Sequence, residues 1–84
     1  MNEFPPILHQ AAMSWAREYY QTEQIFIMII REEDDEPGRY LALIAAANQN
    51  AIWQAAEVWL EDGEVVAVND LGEGLPPEGI SWPW

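Results

Sequence analysis

The sequence predicts an α+β fold, with one N-terminal helix packed on a four-stranded antiparallel meander and an extended tail rich in Pro, Gly and Trp. Two observations predict it. Apolar residues recur at helical spacing near the start of the chain. The rest of the chain holds four apolar stretches separated by turn-forming residues. We therefore expect a single α+β domain over residues 1–69 and an extended tail over residues 70–84 that packs on this domain.

The helix is predicted from about Pro6 to Tyr20, because proline is tolerated in a first helical turn. Five apolar residues at helical spacing are expected to face the core: Leu8, Ala11, Ala12, Trp15 and Tyr19. Polar side chains such as Gln10 and Glu18 fall between them. The segment therefore has one apolar side that can pack on a sheet.

The first two strands are predicted on either side of an acidic loop. The six residues Ile25–Ile30 are apolar and rich in β-branched side chains, as is typical of a buried strand. The run 32–36 is entirely acidic and ends in Pro37-Gly38, a turn-forming dipeptide. Arg39–Ala47 supplies the second strand, and the sequence Asn-Gln-Asn that follows favours a turn.

The segment 52–60 fits either a helix or a strand. Ile52, Ala55 and Trp59 have helical spacing, yet Asp62-Gly63 is the strongest hairpin signal in the chain. We therefore predict strands over about 52–60 and 64–69, joined by this turn. The resulting order of elements resembles the layout of cystatin-like folds, which implies that the helix packs across one face of the sheet.

One helix covers one face of such a sheet, and the second face is predicted to be apolar as well. Phe26, Met28 and Ile30 point away from Ile25, Ile27 and Ile29. Three coverings of this second face are considered: the chain's own tail, a second copy of the chain, or a foreign partner. The tail residues available for this packing are Leu75, Ile80, Trp82 and Trp84.

The charge balance limits the classes of molecule that the protein is expected to bind. Fifteen Asp and Glu stand against three Arg and no Lys, which gives a formal net charge of −12 on a chain that is 50% hydrophobic. This composition indicates a folded acidic domain, and the lack of a basic surface excludes direct nucleic-acid binding. Ile25–Ile30 is too short to span a bilayer, and anionic lipid would repel the protein. We expect a soluble cytoplasmic protein that does not bind membranes.

The residues that commonly carry catalysis are scarce. There is no Cys, so neither a disulfide nor a thiolate metal site is available, and there is no Lys. His9 and Ser14 lie five residues apart and do not share a helix face as residues four apart would. The acidic runs lack the ligand spacing of a calcium-binding EF-hand loop. We therefore predict no enzyme activity and no catalytic, cofactor-binding or metal site.

The carboxylates are the strongest functional signal. In a meander the first and third hairpin loops fall at the same end of the sheet, so residues 32–36 should lie near Glu57, Glu61, Asp62 and Glu64. The sequence therefore predicts a non-enzymatic module that inhibits or regulates a basic protein, such as one that handles nucleic acid, partly by charge mimicry. The predicted partner-binding residues are Glu33, Asp34, Asp35, Asp62, Glu64, Trp82 and Trp84.

The composition resembles that of phage-encoded inhibitors of host defence and of immunity proteins that neutralise nuclease toxins. This resemblance implies a protein partner whose surface is basic. The alternative function is a structural or assembly subunit that forms a homodimer through an apolar sheet face, with the charge serving only solubility.

Overall fold

The computed structural model describes residues 4–84 and confirms the α+β prediction. The elements are α1 (Pro6–Tyr20), β1 (Ile25–Glu32), β2 (Arg39–Ala46), β3 (Gln54–Glu61) and β4 (Glu64–Glu73). The four strands pair in chain order, each antiparallel to the next. The helix lies where the sequence predicts it, and the first three residues of the predicted domain lie outside the described residues.

The last two strands differ in extent from the prediction. The segment 52–60 is a strand rather than a helix, but it begins at Gln54 and ends at Glu61. β4 continues to Glu73, so the first four residues of the predicted tail belong to the sheet. Ten residues of β4 match eight of β3 because Val66 and Leu71 are extra residues at two bulges.

The main core lies between α1 and one face of the sheet. The buried helix residues are Leu8, Ala12, Ala16 and Tyr20, each four residues after the last. The buried side of the helix therefore differs from the prediction near its C-terminal end. Tyr20 is buried there, whereas Tyr19, which the sequence predicts to face the core, is 52% exposed. Small alanines on the helix face Ala42, Ala46 and Ala56 on the sheet, which allows the two layers to approach closely.

The opposite side of the sheet, called here the helix-free face, is partly covered by the chain itself. Its buried residues are Leu43, Ala45, Trp53 and Ala55. The amide of Gly74 donates to the carbonyl of Trp53 at 2.9 Å, which directs the chain after β4 onto this face. The Trp82 ring then packs edge-on against Trp53, with 5.6 Å between ring centroids. Leu75 is 91% exposed, so the covering is incomplete.

Across residues 4–84, the structure contains no helix with the length and apolar character needed to cross a lipid bilayer.

Candidate protein-binding surface

The two acidic hairpins meet at one end of the sheet. The β1–β2 loop and the β3–β4 turn lie at the same end because the strands form an antiparallel meander. A backbone hydrogen bond joins them directly: the amide of Leu60 donates to the carbonyl of Gly38 at 2.6 Å. We call the joined hairpins, residues 32–38 and 61–64, the acidic end. The structure thus brings Glu33, Asp34 and Asp35 together with Asp62 and Glu64 on neighbouring hairpins.

The β1–β2 loop is held by its own hydrogen bonds. The amide of Gly38 donates to the Glu32 carboxylate at 2.9 Å, and the amide of Arg39 donates to the carbonyl of Glu36 at 3.1 Å. The amide of Glu33 in turn donates to the carbonyl of Arg39 at 2.8 Å. Because these bonds fix the backbone, the exposed carboxylates of Asp34 and Asp35 are presented from an ordered loop.

The β3–β4 turn has the geometry expected of an Asp-Gly hairpin. Asp62 and Gly63 both have positive φ, at 52° and 80°, which matches the two-residue turns whose twist suits a β-hairpin. Glu61 and Glu64 pair across the turn, and their side chains are exposed with that of Asp62. Three carboxylates therefore project from a tight and well-defined turn.

Arg39 places a cation at this end of the sheet, where it contacts both the loop and β3. It forms an ion pair with Glu36, the one ion pair within residues 4–84. Its guanidinium also lies over the Trp59 ring, 3.8 Å from the ring centroid, as in a cation–π contact. Arg39 therefore neutralises one carboxylate of the loop and joins the loop to β3. The other carboxylates of the acidic end form no ion pair within residues 4–84.

Glu57 does not join the acidic end, contrary to the expectation from the sequence. It lies in the middle of β3, opposite Leu41 on one side and Asn69 on the other. The indole N–H of Trp59 donates to its carboxylate, which turns Glu57 along the helix-free face. A side chain in the middle of a strand keeps its place in the register and cannot reach the hairpin turn.

The two predicted tryptophan contacts lie on the helix-free face, away from the acidic turns. Trp82 is half-buried against Trp53, so in this structure much of its ring is used within the chain. Trp84 follows it with 5.8 Å between ring centroids and is 49% exposed. Trp84 therefore offers more free aromatic surface than Trp82.

Sequence reasoning missed Arg39, Trp59 and Gly38 as parts of this surface. Arg39 and Trp59 are cross-strand partners, and their contact depends on the β2–β3 register. The bond from Leu60 to Gly38 likewise depends on how the loop folds back on β3. The dipeptide Pro37-Gly38 signals a turn, but it carries no information about which strand the turn contacts.

Several polar side chains outside the acidic end lie on the surface of the helix. His9 and Ser14 border an open groove of about 530 Å³ on the helix surface, together with Met13, Arg17 and Glu23. Within residues 4–84, His, Asp and Glu side chains do not converge in groups of three that could hold a metal ion.

The surroundings of the two tyrosines at the end of α1 raise the pKa of both hydroxyl groups. The Tyr19 hydroxyl donates to the Asp70 carboxylate at 2.9 Å, and this hydrogen bond raises the pKa of Tyr19. Burial raises the pKa of Tyr20 to about 12, with a smaller contribution from the charge of Asp70. The Tyr20 hydroxyl is buried and has no hydrogen-bond partner among the described residues. Both tyrosines therefore stay neutral at physiological pH and serve packing.

Comparison with known proteins yields no relative: no protein-family model matches the chain, and no curated protein or solved structure matches it either.

Proposed function

We propose that the protein is a non-enzymatic, cytoplasmic binding module that uses its acidic end to bind a basic protein and thereby inhibits or regulates it. One observation carries this proposal. The hydrogen bond from the amide of Leu60 to the carbonyl of Gly38 fixes two acidic hairpins side by side, so their carboxylates form one surface on ordered backbone. An acidic residue run in a flexible segment would lack this fixed arrangement.

A fixed anionic surface suits recognition of a basic groove. Charges arranged before binding speed the encounter with an oppositely charged partner and suppress wrong partners. Asp34, Asp35 and Asp62 are exposed and need no rearrangement to face such a partner. A partner that binds nucleic acid would have its phosphate-binding surface occupied by these carboxylates, which is the sense in which the module acts by charge mimicry.

The tail supplies apolar contact beside this charge. Interfaces draw much of their binding energy from a few aromatic side chains, and Trp is prominent among them. Trp84 is half-exposed and rests on Trp82, which in turn packs on Trp53. A tryptophan already held in place loses less conformational freedom on binding than one on a free tail. In this proposal the acidic end steers association, and Trp84 contributes to the lifetime of the complex.

A homodimer through the helix-free face, the alternative function, draws less support. Trp82 of the same chain packs on Trp53, and Gly74 lies against Leu43 and Ala55, so the tail already covers part of this face. A second copy would have to pack around the tail or displace it.

The proposal is tested by affinity capture with a tagged protein in lysate of the source cells, at low and high salt. The test variant is Asp34→Asn, Asp35→Asn and Asp62→Asn, which removes three charges from the acidic end. The matched control is Glu18→Gln, Glu73→Gln and Glu78→Gln, which removes three exposed charges elsewhere. The unmodified protein and the control should recover the same basic protein at low salt.

The test variant should lose this protein, and high salt should release it from the other two. Equal recovery by both variants would overturn the role of the acidic end. Recovery that resists high salt would show that charge does not govern the association.

A further inference from the structure

The two edge strands of the sheet differ in how well they are protected against pairing with a further strand. β1 and β4 are the edge strands. β4 contains two bulges and carries Glu64, Asp70 and Glu73, features that discourage pairing with another strand. β1 pairs regularly with β2 from Ile25 to Ile29, and its segment 25–30 carries no charge. Its one irregularity is the bulge at Ile30, near its end. β1 is therefore the edge that can accept another strand.

The hydrogen bonds flanking β1 show which backbone groups face outward. The carbonyl of Gln24 accepts from the amide of Ala47 at 3.0 Å, so Gln24 is directed towards β2. Orientation alternates along an antiparallel strand, so Phe26 and Met28 also direct their peptide groups towards β2. Ile25, Ile27 and Ile29 then direct theirs away from the sheet. The amide of Ile25 bonds locally to the carbonyl of Glu23, and the outward peptide groups of Ile27 and Ile29 have no backbone partner among residues 4–84.

We propose that two copies of the chain pair through β1, antiparallel, with Ile27 opposite the partner's Ile27 and Ile25 opposite the partner's Ile29. The two sheets join into one, with both helices on the same side. The two Ile27 residues exchange backbone hydrogen bonds, and the amide of Ile29 donates to the carbonyl of the partner's Ile25. On the helix-free face Phe26, which is 42% exposed, lies beside the partner's Met28.

The flanking charges favour this register. It places Arg31 beside the partner's Gln24 and Glu23 at each end of the joined strands. Arg31 and Glu23 are both exposed, and neither forms an ion pair within residues 4–84. The neighbouring Glu32 is turned away into its own loop, where it accepts from the amide of Gly38. Each joined end therefore brings Arg31, which also lines a groove with Glu32 and Asp34 of its own loop, near Glu23 of the other copy.

The antiparallel arrangement also limits repulsion between two chains of charge −12. It puts the acidic ends of the two copies at opposite ends of the joined strands. Eight residues of strand span roughly 25 Å, about three times the screening length at physiological salt. The pairing leaves both acidic ends free, so it is compatible with binding a basic protein and does not depend on it.

Sedimentation of the full chain from about 1 μM to about 100 μM tests the pairing. Glu23→Arg makes the net charge of the chain less negative, which by itself would favour association. It also sets two arginines together at each joined end, which disfavours this pairing. We expect it to weaken the dimer about tenfold. Glu78→Arg, the matched control, makes the same change of charge on the tail and should leave the dimer as tight or tighter. Adding Arg31→Glu to Glu23→Arg should restore it.

Cysteine cross-linking tests the register, since the chain has no cysteine of its own. Phe26→Cys mixed with Met28→Cys should give a mixed disulfide, because directly opposed residues of this kind are about 4.5 Å apart between Cα atoms. Either variant alone should cross-link poorly, because its copies sit about 8 Å apart on a diagonal. A chain that is monomeric at every concentration, a dimer indifferent to Glu23→Arg, or the absence of the mixed disulfide would each overturn the proposal.

Discussion

The amide of Leu60 donates to the carbonyl of Gly38 at 2.6 Å, and this bond ties the loop between β1 and β2 to the end of β3. Gly38 has φ of +85°, and a Cβ atom at this position would lie 2.5 Å from the carbonyl oxygen of Leu60. Both the backbone conformation and the close approach therefore require glycine. This contact, together with the stacking of Arg39 on Trp59, holds one acidic hairpin beside the other.

Gly38→Ala should destabilise the protein by about 2–3 kcal/mol, because it adds a backbone clash to the strain of a positive φ. Gly63→Ala is the matched control, since Gly63 has φ of +80° but open space where a Cβ would stand. The control should cost only about 1 kcal/mol. Urea unfolding followed by tryptophan fluorescence measures both. Equal losses would mean that the contact with Leu60 adds nothing beyond backbone strain.

Tyr20→Phe should leave the free energy of unfolding unchanged or raise it by up to about 1 kcal/mol, because it removes a buried hydroxyl that no described residue satisfies. A marked loss of stability would show that the hydroxyl is engaged in solution.

The raised pKa of Tyr20 also predicts an alkaline transition. Burial raises this pKa to about 12, above the value of about 10 in an unfolded chain. The folded state therefore holds the phenol proton more tightly than the unfolded chain does, so the free energy of unfolding is unaffected by this group below pH 10 and falls progressively as pH rises from about 10 to about 12. Tyr20→Phe should flatten this part of the curve of unfolding free energy against pH. An unchanged slope would assign the alkaline transition to other groups.

Docking of the tail predicts different costs for its two tryptophans. Trp82→Ala should lower the free energy of unfolding by about 2 kcal/mol, because the ring packs on Trp53. Trp84→Ala, at the half-exposed last residue, should cost less than about 1 kcal/mol. Trp82→Ala should also speed protease cleavage within residues 75–84. Equal stability of the two variants, with equal cleavage rates, would mean that the tail is not docked in solution.

Repulsion among the carboxylates predicts that salt stabilises the fold. Raising NaCl from about 20 mM to about 500 mM should increase the free energy of unfolding in urea by about 1 kcal/mol. The variant Asp34→Asn, Asp35→Asn and Asp62→Asn should respond less than the unmodified protein, because its clustered charges are fewer. A flat response in the unmodified protein would show that the carboxylates are too well hydrated to repel one another measurably.

Local signals predicted much of this structure. The helix was predictable because its apolar spacing and its N-terminal proline act over a few residues. Pro37-Gly38 and Asp62-Gly63 lie in hairpin connections for the same reason, and the meander then puts both acidic hairpins at one end. The position of the acidic end therefore follows from local turn chemistry and chain order.

The unpredicted features depend on contacts between distant segments. The bulges at Val66 and Leu71 lengthen β4 beyond its apolar run, and neither has a distinctive sequence signal. The stacking of Arg39 on Trp59 requires the exact cross-strand register, and the docking of Trp82 on Trp53 requires the path of the tail. The burial of Tyr20 rather than Tyr19 is decided by how α1 sits on the sheet.

Steering of a basic protein by the acidic end is tested most directly by the association rate constant of the captured protein, measured at several ionic strengths. Asp34→Asn, Asp35→Asn and Asp62→Asn should slow association about tenfold at low salt and reduce its salt dependence, whereas Glu18→Gln, Glu73→Gln and Glu78→Gln should change both far less. Equal slowing by the two variants would show that only net charge matters and would contradict a localised acidic binding surface.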